Sequence, residues 1–143
     1  MKSKPEDTPM TIEANKALIT KFAGALDARD VQTVLSCIHE DGVWSVPFRE
    51  DKFPFAGQKD KRAFAELIAG SFAGFSQFSF KVTAMTAEDD RVSIEAKSSG
   101  VGPGRATYNN VYTMNFRIED GLIIEAREYF DPFEVLAYVE QCS

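Results

Sequence analysis

YNNVYTMNFRIEDGLIIEAREYFD, residues 108–131, is the stretch of this chain that decides its fold. Large side chains, most of them apolar, occupy alternate positions from Tyr108 to Ile118, and an alternation resumes at Leu122. A period of two residues is typical of a strand that buries one face. The turn signal Glu119–Gly121 between the two runs predicts a long β-hairpin.

The length of the hairpin turn follows from the same alternation. A two-residue loop would join positions of opposite parity, so the apolar face of one strand would meet the polar face of the other. A three-residue loop, Glu119–Gly121, pairs Ile118 with Leu122, and its glycine suits the left-handed third position. We therefore expect even-numbered residues to face each other along the hairpin, with Tyr112 opposite Glu128.

Glu128 is the most informative single residue because it places a carboxylate within an apolar stripe. Arg127 points to the opposite face and cannot neutralise it, so burial should raise the pKa of Glu128. Tyr112, across the hairpin, should lie within hydrogen-bonding reach. One interpretation of Glu128 is a hydrogen-bonded acid in the core, or a residue at a strand end where the face is already solvated. We favour the other interpretation, a general acid or base.

Composition and charge narrow the functional classes. The chain has 143 residues, of which 44% are hydrophobic and 27% charged, as expected for one globular domain with a substantial core. Its net charge of −6, with no basic cluster, argues against nucleic-acid binding. Because we find neither an apolar run long enough to span a bilayer nor a signal-peptide core, we expect a cytoplasmic protein with no membrane partner.

Cysteine and histidine usage argues against a metal or redox site. Cys37 and Cys142 form no metal-binding or redox spacing, and we interpret them as free thiols. The single histidine, His39, excludes a multi-histidine metal site. We therefore expect neither a metal nor another cofactor.

Helix signals come before most of the strand signals along the chain. Thr11, Asp30 and Asp60 precede amphipathic stretches as N-caps do, and they predict three helices. Asp131-Pro132 with Glu134 predicts a capping box at the start of a short final helix. Further strands are predicted at residues 43–48, 75–85 and 91–98, with turns or loops at 40–42, 49–57, 88–90 and 100–104. Residues 1–10 are a predicted flexible arm, and residues 11–143 a single domain.

This order of elements indicates an α+β domain. The mainly antiparallel sheet has to curve in order to cover the three N-terminal helices, and the short C-terminal helix follows it. A pocket is expected between the curved sheet and the helices.

Two segments carry a resemblance to a known group of proteins. Ala25–Asp30, with a second helix and Glu40–Gly42 after it, and the closing hairpin Asn110–Asp131 resemble the nuclear transport factor 2-like superfamily, and within it the SnoaL-like group. The resemblance covers residues 11–139 and implies a cone-shaped, cystatin-like fold with an internal pocket. Enzymes, transport factors and binding subunits share this fold, so it does not choose among them.

Enzyme families of this superfamily can be compared position by position. Limonene epoxide hydrolases resemble this chain at the closing acid, Glu128, whereas their other acid falls near Glu95 and their arginine near Ser93. Ketosteroid isomerase chemistry is not expected, because the matching positions hold Val46, Phe22 and Met114.

Phenazine biosynthesis proteins of the superfamily give a third comparison. Their glutamate in the last strand matches Glu128, and a serine of theirs matches Ser71. Their catalytic histidine position is occupied by Leu67 here. Glu128 is therefore the one acid that is retained in both the epoxide hydrolase and the phenazine comparisons.

Three residues are predicted to be catalytic. Glu128 would move a proton, while Tyr112 and Asn110 would orient the substrate or stabilise developing charge on oxygen. A buried Asn110 amide could instead bond to backbone. The predicted substrate-binding residues are Phe22, Trp44, Ser71, Tyr108, Met114, Phe116 and Phe130.

These residues predict a cofactor-free isomerase, cyclase or lyase that acts on a small, largely apolar organic molecule. A non-catalytic binding or oligomerisation domain is the alternative, and epoxide-type hydrolysis is a further one. A homodimer is also predicted, through the outer, convex face of the sheet. The hairpin presents side chains there that are neither strongly charged nor strongly apolar: Asn109, Val111, Thr113 and Asn115.

Overall fold

The computed structural model of the protein describes residues 11–143, and the arm predicted for residues 1–10 lies outside them. Four helices, six strands and one short 3-10 turn make up this part of the chain. In order they are α1 (Ile12–Ala28), α2 (Val31–Ser36), β1 (Ile38–Val46), β2 (Gly57–Asp60), α3 (Lys61–Gly74), β3 (Gln77–Glu88), β4 (Arg91–Val101), the 3-10 turn (Pro103–Arg105), β5 (Thr107–Glu119), β6 (Leu122–Phe130) and α4 (Pro132–Cys142).

The first three helices begin where their capping residues predict. The side chains of Thr11, Asp30 and Asp60 each accept a hydrogen bond from the backbone N–H three residues later, at 2.9, 3.2 and 2.8 Å. Such bonds satisfy N–H groups that have no partner inside the helix. The three predicted helices are therefore confirmed.

The final helix also begins as predicted, but without the capping box. Asp131 caps α4 by accepting a hydrogen bond from the N–H of Phe133 at 2.9 Å, and Pro132 is the first helical residue. Glu134 does not bond back to the cap; its Oε2 accepts from the N–H of Asn109 on β5 at 3.2 Å. The capping-box prediction was wrong because Asn110 already accepts from the Asp131 N–H.

The six strands form one sheet in the order β2-β1-β6-β5-β4-β3. Only the β1–β6 pair is parallel, and the other four pairs are antiparallel. The α+β class and the mainly antiparallel sheet are confirmed. None of the helices in residues 11–143 has the length and apolarity that a membrane span requires.

The core lies between α1 and the inner face of the sheet, meaning the face that the helices cover. Ile19 and Phe22 of α1 are fully buried, and the Phe22 ring contacts both Trp44 and Phe116 at centroid distances of 5.6 Å. Alternate residues of β4 and β5 complete this core, as their period of two predicts. These are Val92, Ile94, Ala96, Met114, Phe116 and Ile118.

The register of the β5–β6 hairpin differs from the prediction. Glu119 pairs with Leu122, so the loop has two residues, Asp120 and Gly121, which both have positive φ (55° and 75°). Two such residues are typical of a type I′ turn. The three-residue loop was therefore wrong.

A bulge at Ile124 restores the parity that the short loop would otherwise invert. Ile118 pairs with Ile123 and Arg117 with Glu125, so Ile124 is the extra residue on β6. Beyond the bulge, even-numbered residues of β6 pair with even-numbered residues of β5. Glu128 therefore lies opposite Met114 instead of the predicted Tyr112. Glu128 still shares the inner face with the apolar residues of β5.

The strands extend further than their sequence signals. Glu40–Gly42, predicted as a turn, lies within β1 at an irregularity against β6. A Cβ on Gly42 would lie 2.9 Å from the carbonyl oxygen of His39, which explains why a glycine stands there. Gly100 likewise belongs to β4, and β2 was not predicted. In these places backbone pairing overrides local turn propensity.

Candidate active site

A cavity of about 390 Å³ opens between α3, α4 and the inner face of the sheet. Its wall is rich in aromatic rings, which come from both helices, from four strands and from two loops. Seven of its lining residues carry a polar or titratable side-chain atom: Trp44, Ser71, Tyr108, Tyr112, Glu128, Tyr138 and Cys142. A cavity of this size and lining suits one small, mostly apolar molecule.

Seven of the ten predicted site residues line this cavity. They are Trp44, Ser71, Tyr108, Tyr112, Met114, Glu128 and Phe130. The other three, Phe22, Asn110 and Phe116, are not among its lining residues, so their predicted contact with substrate is not supported. Phe22 and Phe116 are buried in the core behind Trp44, because α1 covers that end of the strands.

Glu128 is held by Trp44. The indole Nε1–H donates a hydrogen bond to Glu128 Oε1 at 2.9 Å. Tyr112, the predicted partner, uses its hydroxyl elsewhere. The shifted register explains this difference, because it moves Glu128 two residues along β5 and away from Tyr112.

Burial raises the pKa of Glu128 from its ordinary value of 4.5 to about 7. The Trp44 hydrogen bond and the positive charge of Lys59 both lower that pKa, but the loss of hydration outweighs them. The carboxyl is only partly exposed, and it is exposed to the cavity that it lines. It can therefore gain or lose a proton near neutral pH, as a general acid or base must.

This pKa has a consequence for stability. Between pH 4.5 and 7 the unfolded chain loses the Glu128 proton while the folded chain keeps it, so rising pH should favour the unfolded state. Two and a half pH units correspond to at most about 3 kcal/mol of unfolding free energy, which stays lost above pH 7. We expect Glu128→Gln, which cannot titrate, to be stabilised relative to the wild type at pH 8 but not at pH 4.5. Urea unfolding at both pH values measures this, and an equal difference at the two would contradict it.

A chain of hydroxyl groups crosses the wall beside Glu128. The Tyr112 hydroxyl lies 2.8 Å from Ser98 Oγ and donates to the Tyr108 hydroxyl at 3.1 Å. Asn110 Nδ2 also donates to the Tyr108 hydroxyl, at 2.8 Å. Burial raises the pKa of Tyr108 to about 12 and that of Tyr112 still further, so both remain protonated donors at neutral pH.

The hydrogen bonds among these hydroxyl groups run in one direction, from Ser98 through Tyr112 to Tyr108. Because the Tyr112 proton goes to Tyr108, Ser98 must donate to Tyr112. The reverse direction would leave the proton of Ser98, which is 4% exposed, without a partner among residues 11–143. Tyr108 then accepts two hydrogen bonds, and its own proton is left for the cavity. Tyr108 can donate to an oxygen atom of a bound molecule.

Asn110 connects strands instead of lining the cavity. Its side-chain oxygen accepts from the N–H groups of Val111 and Asp131, at 2.8 and 3.0 Å. Its Nδ2 donates to the Asp131 carbonyl at 3.1 Å as well as to Tyr108. The amide is thus fully used within the protein, as the alternative interpretation of a buried asparagine required.

Ser98 was missed by the sequence analysis, although a signal was present. It follows Val92, Ile94 and Ala96 on the same parity of β4, so the period of two places it on the inner face. The hydrogen-bonding role of Trp44 was also missed. No local pattern indicates it, because Trp44 and Glu128 are brought together by the parallel pairing of β1 with β6.

The positions that epoxide hydrolases would use lie on the other side of the sheet. Glu95 is exposed on β4, and Ser93 Oγ donates to Asn115 Oδ1 at 2.8 Å. Neither lines the cavity. The acid at the matching position, Glu95, therefore cannot act together with Glu128 inside the cavity.

Within residues 11–143, three side chains of metal-ligand type lie together away from the cavity. His39, Glu119 and Asp120 have ligand atoms within 4.8 Å of one another, near the hairpin turn. Both acids are exposed, and none of the three lines the cavity. Exposed groups of this kind commonly occur without an ion.

Comparison with known proteins places the chain in a family. Residues 19–126 match the SnoaL-like domain, which is about three quarters of the sequence. The chain belongs to the SnoaL-like domain family. A curated relative, UPF0523 protein C of Dictyostelium discoideum, is 33% identical over 102 residues, which cover 69% of this chain. The matched segment spans 65% of that relative, just under two thirds of its length.

Solved structures share the fold of this SnoaL-like domain. PrhC from Penicillium brasilianum has a TM-score of 0.81 at 17% identity, covering 91% of this chain and 88% of its own. IdmH from Streptomyces antibioticus, a candidate polyketide cyclase, has a TM-score of 0.72 at 18% identity, with coverages of 88% and 98%. A limonene epoxide hydrolase-like protein of Mycobacterium tuberculosis has a TM-score of 0.70 at 23% identity, with coverages of 93% and 94%. At these identities the likeness concerns the fold alone.

Proposed function

We propose that this SnoaL-like domain is an isomerase, cyclase or lyase that uses Glu128 as a general acid–base on a small, largely apolar organic molecule. The observation that carries the proposal is a carboxyl group with a pKa of about 7 on the wall of an aromatic cavity. A group that titrates near the working pH transfers protons efficiently in both directions.

The Tyr108 hydroxyl supplies the second part of the mechanism. With a substrate carbonyl or similar oxygen bound to Tyr108, Glu128 takes a proton from an adjacent carbon, and the C–H electron pair moves toward that oxygen. The Tyr108 hydrogen bond stabilises the developing negative charge. Return of the proton to another atom completes an isomerisation, while attack of the new nucleophilic carbon on an electrophile within the substrate closes a ring.

The charge of the cavity supports a neutral substrate. Among residues 11–143, no lysine, arginine or histidine side chain lines the cavity, so a carboxylate or phosphate group would lack a counter-charge there. The aromatic wall instead favours rings or isoprenoid-like chains. Fold similarity to a candidate polyketide cyclase agrees with a substrate of this kind.

Two other functions remain as alternatives. Fold similarity to an epoxide hydrolase favours epoxide opening, but that chemistry would have to proceed with Glu128 alone, because Glu95 does not line the cavity. A non-catalytic binding domain would use the same cavity without any proton transfer.

Deuterium exchange can test the proposal before the natural reaction is known. The protein is incubated in D₂O with a library of neutral aromatic, terpenoid and polyketide-like ketones, and mass spectrometry reports the incorporation of deuterium. An enzyme of the proposed type exchanges carbon-bound protons next to the carbonyl of a fitting compound. Tight binding of compounds with no exchange and no product would favour the binding domain instead.

We also propose a homodimer formed through the outer face of the sheet. Asn109, Val111 and Thr113 of β5 are exposed there, and the Val111 side chain is 63% exposed. We expect sedimentation at micromolar concentration to give twice the chain mass of 15.9 kDa, and Val111→Glu to shift the protein toward monomer. A monomer alone for the wild type would rule this interface out.

A further inference from the structure

Trp44 is held in one position by the rings around it. Its indole stacks on Phe64 at a centroid distance of 4.3 Å and an interplanar angle of 19°. Phe22 and Phe116 contact it at 5.6 and 6.1 Å, and the residue is only 6% exposed. The indole therefore cannot turn away without disturbing the core, and its N–H remains directed at Glu128.

This arrangement makes the two oxygen atoms of the Glu128 carboxyl different. Oε1 accepts the indole hydrogen bond at 2.9 Å. Oε2 accepts no hydrogen bond from residues 11–143, although the side chain lines the cavity. A carboxyl tethered at one oxygen presents the other in a defined direction, which general acid–base catalysis requires.

We propose that Trp44 is a positioning residue for Glu128: its indole N–H holds Oε1 so that Oε2 exchanges the proton with the substrate. The inference rests on the proposed function for Oε2, whereas the coupling between the indole and the carboxyl does not depend on any reaction.

The charged and titratable groups around the pair are few. Lys59 on β2 provides a positive charge, and Asp60 and Lys61 line a small pocket together with Trp44. Tyr108 and Tyr112 face Glu128 from β5, and α4 contributes Tyr138 and Cys142 to the cavity. The side chains that α1 and α3 place in the cavity wall are uncharged. Burial raises the pKa of each of these three tyrosines. Glu128 is thus the group expected to change charge near pH 7 next to the indole.

Trp44 is the single tryptophan of the chain, so all tryptophan fluorescence arises from this indole. Indole emission responds to charge and hydrogen bonding at the ring. We expect the emission of the wild type to change between pH 5 and 9 with a midpoint near 7, and Glu128→Gln to lack that transition. A wild type without a transition, or a Glu128→Gln variant that keeps it, would overturn the coupling.

A second variant tests positioning itself. Trp44→Phe keeps a ring on Phe64 but removes the N–H donor. A hydrogen bond to a charged group favours the charged form, so its loss should move the Glu128-dependent limb of the pH–activity profile upward by about one unit. We expect kcat to fall about tenfold or more with KM little changed, and Phe48→Leu, outside the cavity lining, to leave the pH limb unmoved. An unshifted limb in a folded Trp44→Phe variant would refute the positioning role.

A further measurement covers the case in which Trp44→Phe does not fold. The indole ¹H–¹⁵N resonance of the wild type should shift with the same midpoint near pH 7 and stay constant in Glu128→Gln. If this shift is found but Glu128→Gln turns over substrate normally, the proposed function fails while the indole–carboxyl coupling stands. If the wild-type indole resonance does not shift with pH, the indole–carboxyl coupling is refuted, independently of which reaction the protein catalyses.

Discussion

Replacing Glu128 with glutamine is expected to lower turnover, or deuterium exchange into a fitting ketone, by at least about a hundredfold. Glutamine has nearly the same shape and can still accept the Trp44 hydrogen bond through its amide oxygen. It cannot take up or release a proton at neutral pH. The cooperative unfolding transition should therefore be kept while the chemistry is lost.

Glu95→Gln is the matched control for this experiment. The substitution makes the same chemical change at an exposed position of β4, on the outer face of the sheet. The turnover of Glu95→Gln should therefore equal that of the wild type. Normal turnover in Glu128→Gln would remove Glu128 from the mechanism. Equal losses in both variants would indicate a two-acid reaction and favour the epoxide hydrolase alternative.

Replacing Asn110 with alanine is expected to lower the free energy of unfolding by about 3–5 kcal/mol, because the 3%-exposed side chain makes four hydrogen bonds. Its loss removes the acceptor of the Val111 N–H on β5 and of the Asp131 N–H, and the donor to the Asp131 carbonyl where β6 passes into α4. The Tyr108 hydroxyl loses a donor as well. Chemical denaturation measures the effect.

Asn110→Asp separates the two parts of this network. An aspartate can still accept from the N–H groups of Val111 and Asp131 but cannot donate to the Tyr108 hydroxyl or to the Asp131 carbonyl. The stability of Asn110→Asp should therefore lie between those of the wild type and Asn110→Ala. A variant Asn110→Ala with wild-type stability and no activity would contradict the structural role. It would favour the direct contact with substrate that the sequence analysis predicted.

Local signals predicted much of this fold because their physical causes are local. The caps Thr11, Asp30 and Asp60 satisfy N–H groups three residues away, and the period of two identifies the buried face of each strand. Glu128 was found in the same way. The parity of β6 survives in the structure even though the turn is shorter than predicted.

The register was missed because two solutions give the same parity. A three-residue loop and a two-residue turn followed by a bulge at Ile124 both keep even residues opposite even residues. Periodicity cannot distinguish them, although the partner of Glu128 depends on the choice. The positions of Phe22 and Phe116 were missed for a related reason, because alternation identifies a face but not how far along the strand a helix covers it.

The parallel pairing of β1 with β6 also affects how the chain folds. It joins residues that are 84 positions apart in the case of Trp44 and Glu128, so its loop-closure entropy is among the larger costs of building the sheet. Contacts of such long sequence separation are typical of slow steps in folding. During synthesis on a ribosome, every nascent chain that still lacks β6 contains the indole without its carboxylate. The candidate active site is therefore complete only after both β6 and α4, which supplies part of the cavity wall, have been made.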